Sequence, residues 1–211
     1  MGKHRFGVIA CSTPSSLKMD ALAGHLADLA SGADDRAEAA ALSLPAFGQP
    51  AITALAELAT AESADTRWWA LRALAGFEQS DEITQLLLAA LEDESNDVRQ
   101  CAALGLCHQP HPRAVTSLIC ALSGPDAMTA KIAADALIRI GAQAVPALLN
   151  ILQTGSAAAR LEAVRALAEI KDPRAIPALL AAQNTDSAVT QYWAKQGLDA
   201  LGLGMVYLKP E

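Results

Sequence analysis

The sequence repeats itself about every 31 residues, and this short period is the feature that most limits its fold. One leucine anchors each of six units, which we number 1 to 6 in chain order. The anchors are Leu44, Leu74, Leu106, Leu137, Leu167 and Leu198. An alanine stands four residues before every anchor, and a serine, alanine or glycine stands directly before it. A unit of this length cannot enclose a core of its own, so neighbouring units must stack and share one.

Each unit divides into two helices. Relative to the anchor, positions -4, -1, 0 and +3 share one face of an α-helix, and they are small, small, leucine and large in nearly every unit. We call this first helix of a unit its A helix. Helix-breaking residues follow it, for example at 48–50, 110–112 and 171–173. The second helix, the B helix, begins with a β-branched residue that is followed three positions later by a leucine, as at Ile176 and Leu179.

This pattern predicts an all-α solenoid of about 12 helices. We expect a capping helix at residues 17–30, five A–B pairs and a final A helix at about 187–201. Residues 1–16 are predicted to form a flexible N-terminal tail, and residues 17–211 a single solenoid domain. The apolar, glycine-broken segment 202–208 is expected to fold over the last unit as a C-terminal lid, because the open end of a solenoid is apolar.

The composition agrees with this architecture and limits the partners. Apolar residues make up 52% of the chain and aromatic residues only 4%, since alanine and leucine, both strong helix formers, predominate. A net charge of -7 counts against nucleic acid as a partner. No apolar run reaches the ~18 residues of a membrane span, so no membrane partner is expected. The four cysteines form no CxxC pair, which favours reduced thiols and a cytoplasmic location.

Four segments resemble the HEAT family, and in particular the short HEAT-like repeats of phycobilisome lyases. They are residues 67–74 (RWWALRAL), 97–99 (DVR), 144–149 (AVPALL) and 172–177 (DPRAIP). The resemblance covers roughly residues 17–204, and it implies a right-handed α-solenoid of HEAT-like helix pairs whose B helices line the concave side. The family's arginine, seven positions before the anchor, is present as Arg67, Arg99 and Arg160. Ala37 and Ala130 replace it in units 1 and 4.

A row of apolar B-helix residues is the first candidate binding surface. It consists of Leu58, Leu88, Cys120 and Ile151, one from each of four units. On the resemblance, this row would line a concave groove for a protein partner. The alternative is that the B helices contact the core more broadly and bury the row.

Two aromatic pairs at equivalent A-helix positions are the second candidate. Trp68 and Tyr192 are expected to be partly exposed and available to a partner, together with the outward-facing Arg72. Trp69 and Trp193 either join this surface or fill the space between neighbouring A helices.

Three other features are expected to serve the structure. The arginines seven positions before the anchors should bond helix-end carbonyls or carboxylates of neighbouring units. The turn at residues 107–111 contains one cysteine and two histidines but no second half of a zinc site, so we predict a polar turn without metal. Residues 160–182 follow the family pattern most closely and are expected to serve packing.

The sequence therefore favours a non-enzymatic HEAT-repeat scaffold that binds a protein partner along its concave face and needs no cofactor. Deoxyhypusine hydroxylases of the HEAT type hold iron with His-Glu pairs, and no histidine of this chain is followed by glutamate. DNA glycosylases built from such repeats need a cationic groove, which the net charge opposes. The alternative is an E/F-type phycobilin lyase or a bilin-binding chaperone, whose ligand would be a bilin. The oligomeric state is not predicted.

Overall fold

The computed structural model describes residues 14–203, which contain twelve α-helices and no β-strand. In chain order the helices are α1 (Pro14–Leu29), α2 (Asp34–Ser43), α3 (Gln49–Leu58), α4 (Ala64–Leu74), α5 (Asp81–Ala90), α6 (Asn96–His108), α7 (Val115–Leu122), α8 (Ala127–Ile140), α9 (Val145–Thr154), α10 (Ala157–Ile170), α11 (Ile176–Ala182) and α12 (Ala188–Ala200). The prediction of an all-α solenoid of about 12 helices is confirmed.

One capping helix, five A–B pairs and a final A helix follow one another along the chain. The A helices are α2, α4, α6, α8, α10 and α12, and the B helices are α3, α5, α7, α9 and α11. The capping helix α1 begins at Pro14, three residues before its predicted start. Residues 1–13 of the predicted tail and residues 204–208 of the predicted lid lie outside the described residues. No helix in the described part of the chain is both long and apolar enough to cross a membrane.

Serine and aspartate side chains determine where several A helices begin. The hydroxyls of Ser63, Ser156 and Ser187 accept hydrogen bonds from backbone N–H groups in the first turns of α4, α10 and α12. Asp126 caps α8 in the same way, and hydrogen bonds from the hydroxyl and N–H of Thr129 lower the pKa of this carboxyl to about 2. Such caps satisfy N–H groups that have no acceptor within the helix.

The repeated positions form one core that continues along the stack. All six anchor leucines are at most 2% exposed, and the six alanines four residues before them are at most 1% exposed. Gly105 and Gly197 stand directly before two of the anchors. A Cβ atom on Gly105 would lie 2.8 Å from Leu87 Cδ2, and one on Gly197 would lie 2.7 Å from Ala168 Cα. The backbone of α12 therefore packs directly on that of α10.

The A helices and the B helices are packed differently. Each A helix packs closely against the next A helix, whereas successive B helices scarcely touch, apart from α7 and α9. The small residues of the A helices allow this close approach. That the B helices line the concave side stays a prediction.

Candidate ligand-binding groove

The predicted row on the B helices is not an open apolar surface. Ile151 is 6% exposed and belongs to the core, while Leu58 and Leu88 are partly buried and pack against the core. Cys120 is the exposed member of the row. The B helices form a single layer over the A helices, so this register faces the core more than it faces solvent. Binding of a partner at these four residues stays a prediction.

The two aromatic pairs are only partly open to solvent. Trp69 is 8% exposed and lies in the core, and the half-buried Trp68 is edge-on to it, with ring centroids 4.8 Å apart. Tyr192 is 56% exposed, whereas Trp193 is partly buried and packs against the core. Arg72 is exposed. A role of these residues in binding a partner stays a prediction.

Several exposed apolar residues that the sequence analysis missed lie on the A helices. They are Leu42, Leu104, Met128 and Val189, each between 46% and 68% exposed. Leu42 and Leu104 occupy the same register as Arg72, two positions before the anchor. This shared register is the sequence signal that identifies them, because it lies away from the buried stripe of the helix.

Arg67 connects two consecutive units. It is 7% exposed, and it binds Asp93 through two parallel hydrogen bonds, from Nε at 2.7 Å and from Nη2 at 2.8 Å. Its Nη1 donates to the backbone carbonyls of Ala61 and Glu62, both at 2.9 Å. Arg99 likewise donates to two backbone carbonyls, in the loop that precedes α6. The expected structural role of this arginine register holds for both residues.

Arg160, the third arginine of this register, is in a different environment. Its side chain is exposed and, within residues 14–203, has no hydrogen-bond or ion-pair partner, while its backbone N–H donates to the carbonyl of Ser156. It lines a groove of about 980 Å³ whose walls come from α9, α10, α11 and the start of α12. The groove therefore lies between units 4 and 5 and extends to the junction with unit 6.

Small side chains of α11 line the groove on the side that faces α9. Three other B helices carry large residues at one register, namely Leu58, Leu88 and Ile151. Helix α11 carries Ala181 at that register, and Ala178, three positions earlier, also lines the gap. Helices α9 and α11 scarcely touch, as is also true of the other successive B helices apart from α7 and α9. The expectation that residues 160–182 serve packing is therefore incomplete, because the same residues also form a cavity.

The walls of the groove are mainly apolar and its rim is charged. Its larger apolar side chains are Leu149, Leu152, Leu161 and Val164. The charged residues that line it are Arg160, Arg174 and Asp186. Arg174 is already paired, since its Nη2 lies 2.7 Å from Asp172 Oδ2, and its hydrogen bonds lower the pKa of that carboxyl to about 2. Arg160 is thus the lining arginine whose guanidinium is available to a ligand.

The lining of the groove contains hydroxyl and carboxylate groups but no thiol or imidazole. Neither a cysteine nor a histidine is among its lining residues. Elsewhere in the described part of the chain, burial raises the pKa of the Cys101 thiol to about 12, which keeps it protonated and unreactive near neutral pH. No group of three histidine, cysteine or acidic side chains within residues 14–203 is placed to hold a metal ion.

A second, smaller cavity of about 530 Å³ lies at the start of α4. Trp68 and Trp69 line it together with Asp34, Asp65 and Asp97. Its carboxylates would repel an anionic ligand. The two cavities therefore differ in the charge of the ligand that they can accept.

Gln109 is the polar exception among the residues three positions after the anchors. It is 7% exposed, and its Nε2 donates to the backbone carbonyl of Phe77 at 2.8 Å and to that of Leu74 at 3.4 Å. The side chain thus satisfies carbonyls at the end of α4. The polar turn at residues 107–111 serves the stack through this contact.

Comparison with known protein families places the chain among repeat proteins. A family model described as HEAT repeats matches residues 20–107 and 115–199. The chain belongs to the HEAT-repeat family. The HEAT-repeat chain is 36% identical over 111 residues to the phycocyanobilin lyase subunit beta of Pseudanabaena tenuis, a match that covers 53% of this chain and 39% of that relative. It is 38% identical over 103 residues to the bilin biosynthesis protein RpcF of a Synechococcus species, which covers 48% of this chain and 49% of the relative.

Solved structures with the same fold include natural and designed solenoids. The complex of CpcE and CpcF of phycocyanin lyase from Nostoc matches with a TM-score of 0.54 and 21% identity, over 96% of this chain and 82% of that one. A designed armadillo repeat protein in complex with a (KR)4 peptide matches with a TM-score of 0.52 and 22% identity, over 90% and 95% of the two chains. At these identities the likeness concerns the fold.

The relatives correct the expected function. The prediction of a non-enzymatic scaffold that binds a protein partner along its concave face is wrong, because the relatives matched by sequence are named a phycocyanobilin lyase subunit, a phycobilisome maturation protein and a bilin biosynthesis protein. They favour the alternative of a bilin lyase or bilin-binding chaperone. The matches span 39% to 52% of the length of these three relatives, so about half of each has no counterpart in the match.

Proposed function

We propose that this chain is a bilin-handling protein, a subunit of a phycobilin lyase or a bilin-binding chaperone, and that it holds an open-chain tetrapyrrole in the groove between α9 and α11. The observation that carries the proposal is the groove itself, together with the 36% to 38% identity to bilin-related proteins. The volume of the groove, about 980 Å³, lies at the upper end of the range of roughly 300–1,000 Å³ for ligand pockets.

The lining of the groove suits such a ligand. The pyrrole rings of a bilin are flat and largely apolar, so their transfer from water to the wall formed by Leu149, Leu152 and Val164 is favourable. The propionate groups of a bilin are anionic, and Arg160 provides a cation at the rim. Because no cysteine or histidine lines the groove, we assign it the binding and orientation of the bilin. A partner subunit would supply further groups, as the two chains of the Nostoc phycocyanin lyase suggest.

The test is a titration of the purified chain with phycocyanobilin, followed by absorbance and induced circular dichroism. We expect a shifted visible band at micromolar bilin. The variant Ala181→Leu restores the large residue found at this register in α3 and α5 and fills the groove, so it should weaken binding about tenfold or more.

The matched control is Ala89→Leu, which adds the same side chain at an exposed position of α5 outside the groove. It should bind bilin like the wild type. A wild-type chain that leaves the spectrum of the bilin unchanged would exclude the proposed function. Equal loss of binding in the two variants would exclude the groove as the site.

A further inference from the structure

An arginine and an aspartate that form an ion pair in unit 2 have counterparts in the groove. These counterparts are not paired with each other. In unit 2 the pair is Arg67 and Asp93, which are 26 residues apart in the sequence. The same interval separates Arg160 from Asp186, and each of the two occupies the register of its counterpart relative to the anchor leucine. Unit 2 is therefore an internal template for the way in which this arginine register holds a carboxylate.

The template defines a complete carboxylate site. Arg67 presents Nε and Nη2 to the two oxygens of Asp93 at 2.7 and 2.8 Å, while its Nη1 is fixed by backbone carbonyls at 2.9 Å. The planar guanidinium matches the two oxygens of a carboxylate, which makes such paired contacts both strong and directional. Burial of the site, with the Arg67 side chain only 9% exposed, excludes water that would weaken the pair.

In unit 5 the two residues are present but apart. Arg160 and Asp186 are both exposed, both line the groove, and neither has a partner within residues 14–203. Both side chains are in water, where closure of a single pair gains little free energy. The guanidinium of Arg160 is consequently free to bind a carboxylate that arrives with a ligand.

We propose that Arg160 binds a carboxylate of the ligand in the manner in which Arg67 binds Asp93, while the apolar body of the ligand fills the groove. The ligand class is therefore an apolar molecule that carries a carboxylate, and the phycobilins, with their propionate groups, belong to this class. The identification of the ligand as a bilin rests on the proposed function, whereas the carboxylate contact rests on the comparison of units 2 and 5.

Two other charged residues of the groove, Asp186 and Arg174, bear on how the site binds the ligand carboxylate. Asp186 places a negative charge in the same groove, which opposes an anionic ligand, so its neutralisation should strengthen binding. Arg174 is not a substitute for Arg160, because its guanidinium is held by Asp172 and by the carbonyl of Ala142 at 2.6 Å. The contact with the ligand carboxylate therefore depends on Arg160.

The experiment compares phycocyanobilin with its dimethyl ester, which has the same conjugated chain but no carboxylate. The wild type should bind the free acid about tenfold or more tightly than the ester. Arg160→Gln should bind both compounds with the weaker affinity, and Asp186→Asn should bind the free acid more tightly than the wild type. Arg139→Gln removes the same charge from an exposed position of α8 outside the groove and should retain the preference.

The outcomes separate this inference from the proposed function. If Arg160→Gln keeps the full preference for the free acid, the carboxylate contact is excluded and bilin binding stands. If the wild type does not bind phycocyanobilin but binds the fluorescent fatty acid cis-parinaric acid through Arg160, the bilin function is excluded and the carboxylate site stands. If neither compound binds, both are excluded. Because Arg160 and Asp186 are exposed, circular dichroism should report an unchanged fold in all variants.

Discussion

At the scale of single residues, the pair of Arg67 and Asp93 illustrates how a buried charge can stabilise the junction between units. The hydrogen bonds from Arg67 lower the pKa of Asp93 despite the burial of that carboxyl, and the N–H of Ser95 adds to the effect. Loss of one partner would leave the other charge buried and unpaired. The free-energy cost of this state exceeds the stabilisation that the intact pair provides. The pair is therefore a sensitive point of the fold.

We predict that Asp93→Asn destabilises the protein by about 3 kcal/mol at pH 7. Because the folded pKa of Asp93 lies below the unfolded value of about 3.9, its contribution is complete well above that value and is lost as the pH falls through the folded pKa. Urea unfolding of wild type and variant at pH 7, 5 and 3.5 measures the difference, which should be equal at pH 7 and 5 and smaller at pH 3.5.

The control for this prediction is Glu92→Gln, which neutralises the preceding but exposed carboxylate. It should change the stability by less than about 0.5 kcal/mol at every pH. A loss in Asp93→Asn that does not vary between pH 7 and pH 3.5 would mean that the ion pair is not its cause.

At the scale of helices, the sequence was sufficient to predict which residues pack within a unit. The six anchors and the small residues before them repeat at helical spacing, and burial at that spacing is a property of one helix and its immediate neighbour. The state of Arg160 could not be predicted in this way. Arg67 and Arg160 are the same residue at the same register, yet Arg67 is buried against Asp93 whereas Arg160 is exposed in the groove.

The burial of the predicted row on the B helices could not be predicted for a related reason. Whether Ile151 is buried and Cys120 exposed depends on how far neighbouring B helices are spread, which results from the volumes of side chains on several helices. The groove has the same origin, because Ala181 matters only in relation to the helix opposite it. The sequence shows alanine instead of a large residue at that register. Whether a groove results depends on how the helices pack, which the sequence alone does not give.

We predict that Gly197→Ala destabilises the contact between α10 and α12 by about 1–3 kcal/mol. The added Cβ would lie 2.7 Å from Ala168 Cα and 2.9 Å from Leu179 Cδ1, and the first of these atoms belongs to the backbone and cannot turn away. The midpoint of urea unfolding measures the change. Gly24→Ala in α1, where nothing lies within 4 Å of the new Cβ, should instead stabilise the protein by about 0.5–1 kcal/mol. Equal stability of Gly197→Ala and wild type would contradict the close packing of α12 on α10.

At the scale of the whole molecule, the solenoid confines the effects of a ligand. Each unit contacts mainly its neighbours. Stabilisation of one unit therefore affects more distant units only through the interfaces between units. The groove is formed by helices α9 to α12, at one end of the described chain. A bound bilin should therefore stabilise this end far more than the units that precede it.

We predict that saturation with phycocyanobilin slows amide hydrogen exchange in residues 145–200 and leaves residues 14–90 almost unchanged. For a ligand at 100 times its Kd, amides whose exchange requires the groove to open should exchange up to about 100-fold more slowly, which corresponds to about 2.7 kcal/mol. Mass spectrometry of peptic peptides measures the pattern of exchange. The control is Ala181→Leu at the same bilin concentration, in which the protection should be much reduced. Protection spread evenly over all units would instead mean that the bilin binds along a surface of the A helices, because only a surface that runs through every unit could protect all of them together.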